Sequence, residues 1–286
     1  MGAVGAVVVL LCVLGGYVLH GGKLAILNQP TEFLIIGGAA VGAFIIGNPK
    51  HIMGISLKRA MHAWFGKGPG KEEYLDLLKM MFQLFQIFRK DGPQAVEKHI
   101  EEPEKSEIFA QCPSFLKNHH AVDFFCDTLK ITLSADLTQY DVDDLLNDDI
   151  KTIHEEEHQA AHAINAVAEA LPGLGIVAAV LGVVITMGKL DQGTEVIGKS
   201  VAAALVGTFI GVMACYGFVG PTASKMQRDM EIEGRYLMVI KAALVSLQRG
   251  APPLVCVEYA RRTIYAHDRP SFRDMDTATK SVKKAA

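Results

Sequence analysis

Three sets of residues in this 286-residue chain have types and spacings that could do chemistry. His154-Glu155-Glu156-Glu157-His158 matches the pattern His-Glu-x-x-His, in which imidazoles four residues apart share a helix face and hold zinc while the first glutamate acts as base. His162 extends that face, but the run is highly charged and adjoins an apolar segment. With no independent third ligand or glycine-rich turn in sight, a solvated or intersubunit helix face explains it. The expectation is therefore no metal centre, no catalytic residue and no enzyme. The second set is hydroxyls: Thr186, Ser200, Thr208, Thr222 and Ser224, in or near the last two apolar segments. The third is Cys12, Cys112, Cys126, Cys215 and Cys256, scattered without a Cys-x-x-Cys pair and expected to be free thiols.

The elements that position these residues follow from where charge is missing. About one residue in five is charged (21%), yet Met1 to Leu19, Phe33 to Pro49, Leu171 to Gly188 and Ser200 to Ser224 carry no Asp, Glu, Lys or Arg. Spanning helices need roughly 17–25 apolar residues each, so four membrane spans are expected. A cleaved signal peptide is the competing reading of the first gap, but it lacks a basic n-region and an Ala-x-Ala end point.

Basic residues orient the spans. His20 to Glu32 carries one Lys, and Lys189 to Lys199 has two Lys balanced by two acids. The segment after the second span opens with Lys50, Lys58, Arg59, Lys67 and Lys71, and the fourth span is followed by Lys225, Arg228 and Arg235. By the positive-inside rule the large segment and the C-terminal tail are cytoplasmic. The expected fold is all-α: transmembrane helices over residues 1–20, 33–49, 170–188 and 199–221, a cytoplasmic helical domain over 50–169 and a cytoplasmic helical tail over 222–286.

Within the cytoplasmic segment, Leu75, Leu78, Met81, Phe82, Phe85 and Phe88 recur at helical spacing, and Gly92-Pro93 ends that helix. Further helical pieces are expected at Ala95 to Ile100, Ser106 to Phe109, Val122 to Leu133 and Val142 to Leu146. Asp148 to Ala170 runs into the third span with Pro172 at the junction, either as a first-turn proline or as a kink. Lys280 to Ala286 reads as a short disordered tail.

Small residues at Gly175, Ala178, Ala179 and Gly182 in the third span, and at Ala202, Ala203, Ala204, Gly207 and Gly211 in the fourth, allow close backbone approach in lipid. No carboxylate lies in the four charge-free spans, whereas a protein that carries protons usually needs one there. If ions cross, the carboxylate is expected from a partner helix packed on the last two spans.

Gly15-Gly16-Tyr17, Gly21-Gly22, Gln29-Pro30, the Gly-x-Phe-Ile-x-Gly-Asn run at Gly42 to Asn48 and Ser106-Glu107-Ile108-Phe109-Ala110 occur in order along the chain. They are followed by Leu171-Pro172-x-x-Gly175, Leu205 to Gly211, Tyr216-Gly217-Phe218-x-x-Pro221, Ala251-Pro252-Pro253, Val257-Glu258-Tyr259 and Arg269-Pro270-Ser271-Phe272. In these motifs, over about residues 1–275, the sequence resembles the MotA family of flagellar-motor stator subunits, within the MotA/TolQ/ExbB proton channel superfamily.

The resemblance implies a bacterial inner-membrane protein and five copies around two copies of a single-span partner, MotB, which carries the proton-binding aspartate. It implies H+ as the transported ion, no cofactor, and torque on the rotor protein FliG. Arg89 and Glu97 match the family's rotor-contacting charges, Pro172 and Pro221 its coupling prolines, and Thr208 its threonine on the ion pathway. Sodium-driven relatives have a threonine where this chain has Ala179, whose methyl offers no ligand to a hard cation, so protons are favoured. His158, and Lys90-Asp91 beside Arg89, depart from the family pattern. The alternatives are an ExbB/TolQ-like envelope energiser, usually of three spans, a self-contained channel and a membrane scaffold.

Overall fold

The computed structural model describes residues 2–66 and 68–285, so Lys67, one of the orienting lysines, lies outside the described residues. Among the described residues all regular structure is helical, in the order α1 (Gly2–Leu19), α2 (Leu24–Leu27), α3 (Pro30–Gly47), α4 (Lys50–Phe65), α5 (Lys71–Asp91), α6 (Pro93–Glu101), α7 (Pro113–Lys117), α8 (His119–Ser134), α9 (Gln139–Met187), α10 (Thr194–Ala214), α11 (Gly220–Gln248), α12 (Pro253–Thr263) and α13 (Phe272–Ala285). Four stretches are long and apolar enough to cross a membrane: Gly2–Leu19, Leu24–Gly47, and parts of Gln139–Met187 and Thr194–Gln248. The chain is thus all-α with four spans. It divides into two compact units, Met1–Lys67 with Glu156–Asp229, and Gly68–Glu155 with Met230–Ala286.

The first unit holds the spans. Val4, Leu11, Ile46, Val184 and Leu205 lie exposed, as expected where lipid or neighbouring helices replace water. Its interior is small: Ile36 and Ala40 of α3 pack with Ala168, Leu171 and Ala178 of α9 and with Cys215. Ala63 of α4, Ala161 and Met226 form a second cluster. Ser56 donates to the Ala160 carbonyl at 3.2 Å, and Arg59 pairs with Glu157, so α4 is tied to α9 within this unit.

The second unit has a conventional apolar core. α5 buries Tyr74, Leu77, Leu78, Met80, Met81, Phe82, Leu84 and Phe85, a wider face than the one stripe read from spacing, because helices pack on it from several directions. Leu75 and Phe88 are only partly buried. Phe109, Phe115 and Phe125 meet edge to face with ring centroids 5.4–6.0 Å apart, a favoured aromatic geometry. Gly92, at φ 86°, turns the chain from α5 to α6, a conformation that costs glycine little. Asn118 caps α8 by accepting from the Ala121 amide at 3.2 Å.

Three expectations need correction. Ser106 to Phe109 forms no α-helix; single 3₁₀ turns at Pro103–Lys105 and Phe109–Gln111 flank it, the prolines at 103 and 113 leaving no room for a longer helix. Val142 to Leu146 is the start of the 49-residue α9 rather than a separate piece. The tail from Lys280 continues α13 through Ala285: Met275, Thr279 and Val282 are buried at helical spacing, which outweighs the basic composition, and Ala286 lies outside the described residues.

Candidate functional site

The site builds from the seam between α9 and α10. Both helices carry glycine and alanine where they meet, and the fit is close enough to exclude a methyl group. A Cβ on Gly175 would lie 2.8 Å from the Gly207 carbonyl oxygen and 3.3 Å from the Thr208 Cα. One on Gly211 would lie 2.5 Å from the Leu171 carbonyl and 2.9 Å from the Gly175 Cα. At Gly182 it would meet Ala204 Cβ at 2.6 Å. Such contact gives packing in lipid, where apolar surface alone provides no drive to associate.

The expected pathway residues sit on this seam. Ala179 is half-buried, and its amide nitrogen is 3.3 Å from where a Gly207 side chain would begin. Thr208, also half-buried, is the next residue on α10. Thr186 is fully buried and donates to the Gly182 carbonyl at 2.8 Å, so its hydroxyl is spent on its own helix.

Pro172 lies inside the continuous helix α9, not at a first turn, and having no N–H it leaves the carbonyl one turn earlier without its helical donor. The carbonyl of Leu171, beside it, faces Gly211. Pro221 is the second residue of α11 and follows a π-helical turn, Cys215–Val219, that the sequence reading did not anticipate. There the Gly220 amide reaches back five residues to the Cys215 carbonyl. The signal lay in Gly217, Gly220 and Pro221 together: two residues with little resistance to a wider turn, then one that cannot donate. Thr222 donates to the Phe218 carbonyl at 2.7 Å and accepts from the Trp64 indole at 3.0 Å, which fastens α4 to the turn.

Glu32 was missed. The sequence expectation put it in a loop, with the span starting at Phe33; the helix instead starts at Pro30, so Glu32 is in the first turn of α3 and within the Leu24–Gly47 candidate span. Its residue is 7% exposed. A search for charge-free windows stops at such a residue by construction, which is why the spans looked free of carboxylates.

Arg89 and Glu97 belong to the second unit, both exposed, at the end of α5 and on α6. Arg89 donates to the Gly250 carbonyl. Burial pushes the Cys256 thiol up to about 11, with the Arg89 charge acting the other way. The two residues are thus not part of the membrane seam.

His154, His158 and His162 are exposed on α9. Glu155, the base in the zinc pattern, lies 4.0 Å from Lys151, and Glu157 pairs with Arg59. Among the described residues no group of three or more His, Cys, Asp or Glu side chains is placed to hold a metal ion.

Comparison with known proteins agrees with this architecture. Residues 3–92 match the family model for the motility protein A N-terminal region, and residues 117–237 that for the MotA/TolQ/ExbB proton channel family. The chain is 35% identical over 279 residues to motility protein A of Salmonella typhimurium, covering 98% of this chain and 95% of the relative. It is 36% identical over 274 residues to the chemotaxis protein LafT of Vibrio parahaemolyticus, covering 95% of each. The C. jejuni MotAB structure superposes with a TM-score of 0.78 at 19% identity, covering 95% of this chain and 98% of that one. The flagellar MotAB stator complex of Bacillus subtilis gives 0.76 at 21% identity, covering 94% and 97%. At those identities the two structures establish the fold.

Proposed function

This chain belongs to the motility protein A branch of the MotA/TolQ/ExbB proton channel family, and we propose on that premise how it divides the work of a flagellar-motor stator with its partners. It is a multi-pass inner-membrane stator subunit that couples proton flow to torque on the rotor. The ExbB/TolQ-like alternative finds no support in residues 3–92, which match the motility protein A N-terminal model.

In the proposed arrangement five copies surround two copies of a MotB-like single-span subunit, whose helix lies against the α9/α10 seam and contributes an ionisable carboxylate. The seam carries this reading: two helices in backbone contact, with Thr208 and Ala179 beside the contact, form a firm wall for a partner helix. Ala179 offers a methyl where a sodium ion would need oxygen, which supports H+ as the transported ion. Pro172 and the π-helical turn before Pro221 are the points where each helix's hydrogen-bond ladder is already interrupted, so they are where bending costs least.

Residues 50–169 and 222–286 are assigned to the cytoplasm, where the second unit presents Arg89 and Glu97 to a FliG-like rotor protein. Both are exposed and opposite in charge, as a surface that reads complementary charges requires. The test is complementation: this chain with its MotB-like partner should restore swimming to a bacterium lacking its own stator genes, with Arg89→Glu and Glu97→Lys each impairing it. Membrane insertion and partner association without any swimming would overturn the assignment.

A further inference from the structure

The residue that the stator reading leaves unused is Glu32. It is the third residue of α3, and its Oε2 is a buried oxygen with no hydrogen-bond partner among the described residues. That oxygen is directed at α10: a Cβ built on Gly207 would lie 2.8 Å from it, 3.0 Å from Ala178 Cβ and 3.3 Å from the Ala179 nitrogen. The carboxyl group therefore reaches the junction of three helices, α3, α9 and α10, at a point where α10 has no side chain. Gly207 lies seven residues, roughly 10 Å, into the charge-free part of α10 that begins at Ser200, so Glu32 meets that helix inside its apolar stretch.

An ionisable group buried within a spanning segment is expensive and marks an ion or proton route by default. An unpaired buried polar atom is costly as well. We propose that Glu32 is a second proton-binding site of the stator, carried by this chain and distinct from the carboxylate assigned to the partner helix. The proposal rests on the proton-conducting reading above.

The surroundings fit a proton and not a metal cation. A sodium or divalent ion needs several oxygen ligands, while Gly207, Ala178 and Ala179, which meet at this junction, have no side-chain oxygen to offer. Both charge states have a stabiliser. The positive end of the helix dipole at the first turn of α3 favours a carboxylate, and the apolar junction favours the neutral acid. Among the described residues no ionisable side chain forms an ion pair with the carboxyl: on α10 Glu195 and Lys199 pair with each other at 2.7 Å, α4 contributes Lys50, His51, Lys58, Arg59 and His62, α9 in this unit ends its charges at Glu169, and Lys23 precedes α2.

The test uses the complete chain co-reconstituted with its single-span partner in proteoliposomes, comparing wild type, Glu32→Gln and Glu32→Asp for proton flux under an imposed gradient. Loss of a proton-exchanging group should lower flux about tenfold or more in Glu32→Gln. Glu32→Asp, which keeps the acid, should retain much of the flux with an altered pH profile. In parallel, wild-type complex is treated with a carbodiimide that modifies protonated carboxyls in apolar surroundings, and the adduct is mapped by mass spectrometry; Glu32 should be modified in a pH-dependent manner. Wild-type flux in Glu32→Gln, or equal loss in Gln and Asp, would overturn the proposal, and so would absence of the adduct where the partner's carboxyl reacts. If Glu32→Gln fails to assemble, the adduct on wild type decides. Absence of flux in wild type would instead sink the stator reading itself, so the two failures are distinguishable.

Discussion

Replacing Gly211 by alanine should test the α9/α10 seam most sharply. The added Cβ would sit 2.5 Å from the Leu171 carbonyl oxygen, about 0.9 Å inside the 3.4 Å at which ordinary van der Waals contact begins. Its other neighbours, the Gly175 Cα at 2.9 Å and nitrogen at 3.2 Å, are also backbone, so no side chain can rotate out of the way. The helices must part, and overpacking of this kind costs about 1–3 kcal/mol. For a chain of this size, with an unfolding entropy of about 0.6 kcal/mol/K, that corresponds to a drop in Tm of roughly 2–5 °C. Gly175→Ala breaks the same contact from the other side, so the double variant should lose less than the sum of the singles. Gly234→Ala is the control: Gly234 is in α11 with nothing within 4 Å of its would-be Cβ, and alanine there should stabilise by about 1 kcal/mol through helix propensity. The assay is thermal unfolding of the purified complex in detergent, followed by proton flux in liposomes. Wild-type Tm and flux in Gly211→Ala would refute the claim that backbone contact along this seam holds the site together.

Other outcomes follow from single contacts. Reversing Arg89 or Glu97 should weaken rotor binding by about 1.4 kcal/mol, a tenfold loss of affinity, while leaving proton flux intact; a pull-down titration with the rotor protein reads the first and liposome flux the second. Trp64→Phe removes the indole bond to Thr222 (3.0 Å) and should cost about 1 kcal/mol, seen as a lower Tm. Glu258 accepts from Arg261 at 2.7 and 2.8 Å and from Arg262 at 2.7 Å, which holds its carboxyl down at about 2 against the ordinary 4.5. A depressed folded-state value means that the stabilisation is fully present above 4.5 and disappears as pH falls toward 2. Glu258→Gln should therefore lower stability by on the order of 2 kcal/mol at neutral pH, discounted for its partial exposure, with the gap from wild type closing through that acid window in a melting series.

What could be read from the residues was the topology, because a spanning helix announces itself by length and by lack of charge. The seam was visible for the same reason: Gly175, Gly182, Gly207 and Gly211 are where side chains are missing. Three features were hidden. Glu32 was excluded by the very criterion that found the spans, and only the helix start at Pro30 brings it inside. The π-helical turn at Cys215–Val219 follows from where Gly220 finds an acceptor, which composition does not state. The tail from Lys280 looked solvated because its charges dominate, while the burial of Met275, Thr279 and Val282 decides its conformation. Arg89 and Glu97 became candidates for rotor contact only through the resemblance, since an exposed Arg and Glu on helices are ordinary by themselves.

The composite pathway is tested most directly by proton uptake into liposomes containing this chain with its single-span partner, this chain alone, and this chain with a partner whose membrane carboxylate has been neutralised. The account expects gradient-driven uptake only with the intact partner, since Glu32 is one step of a route that needs a second carboxylate. Uptake of equal rate by this chain alone would contradict it, and would make the chain an autonomous channel with Glu32 as its principal site.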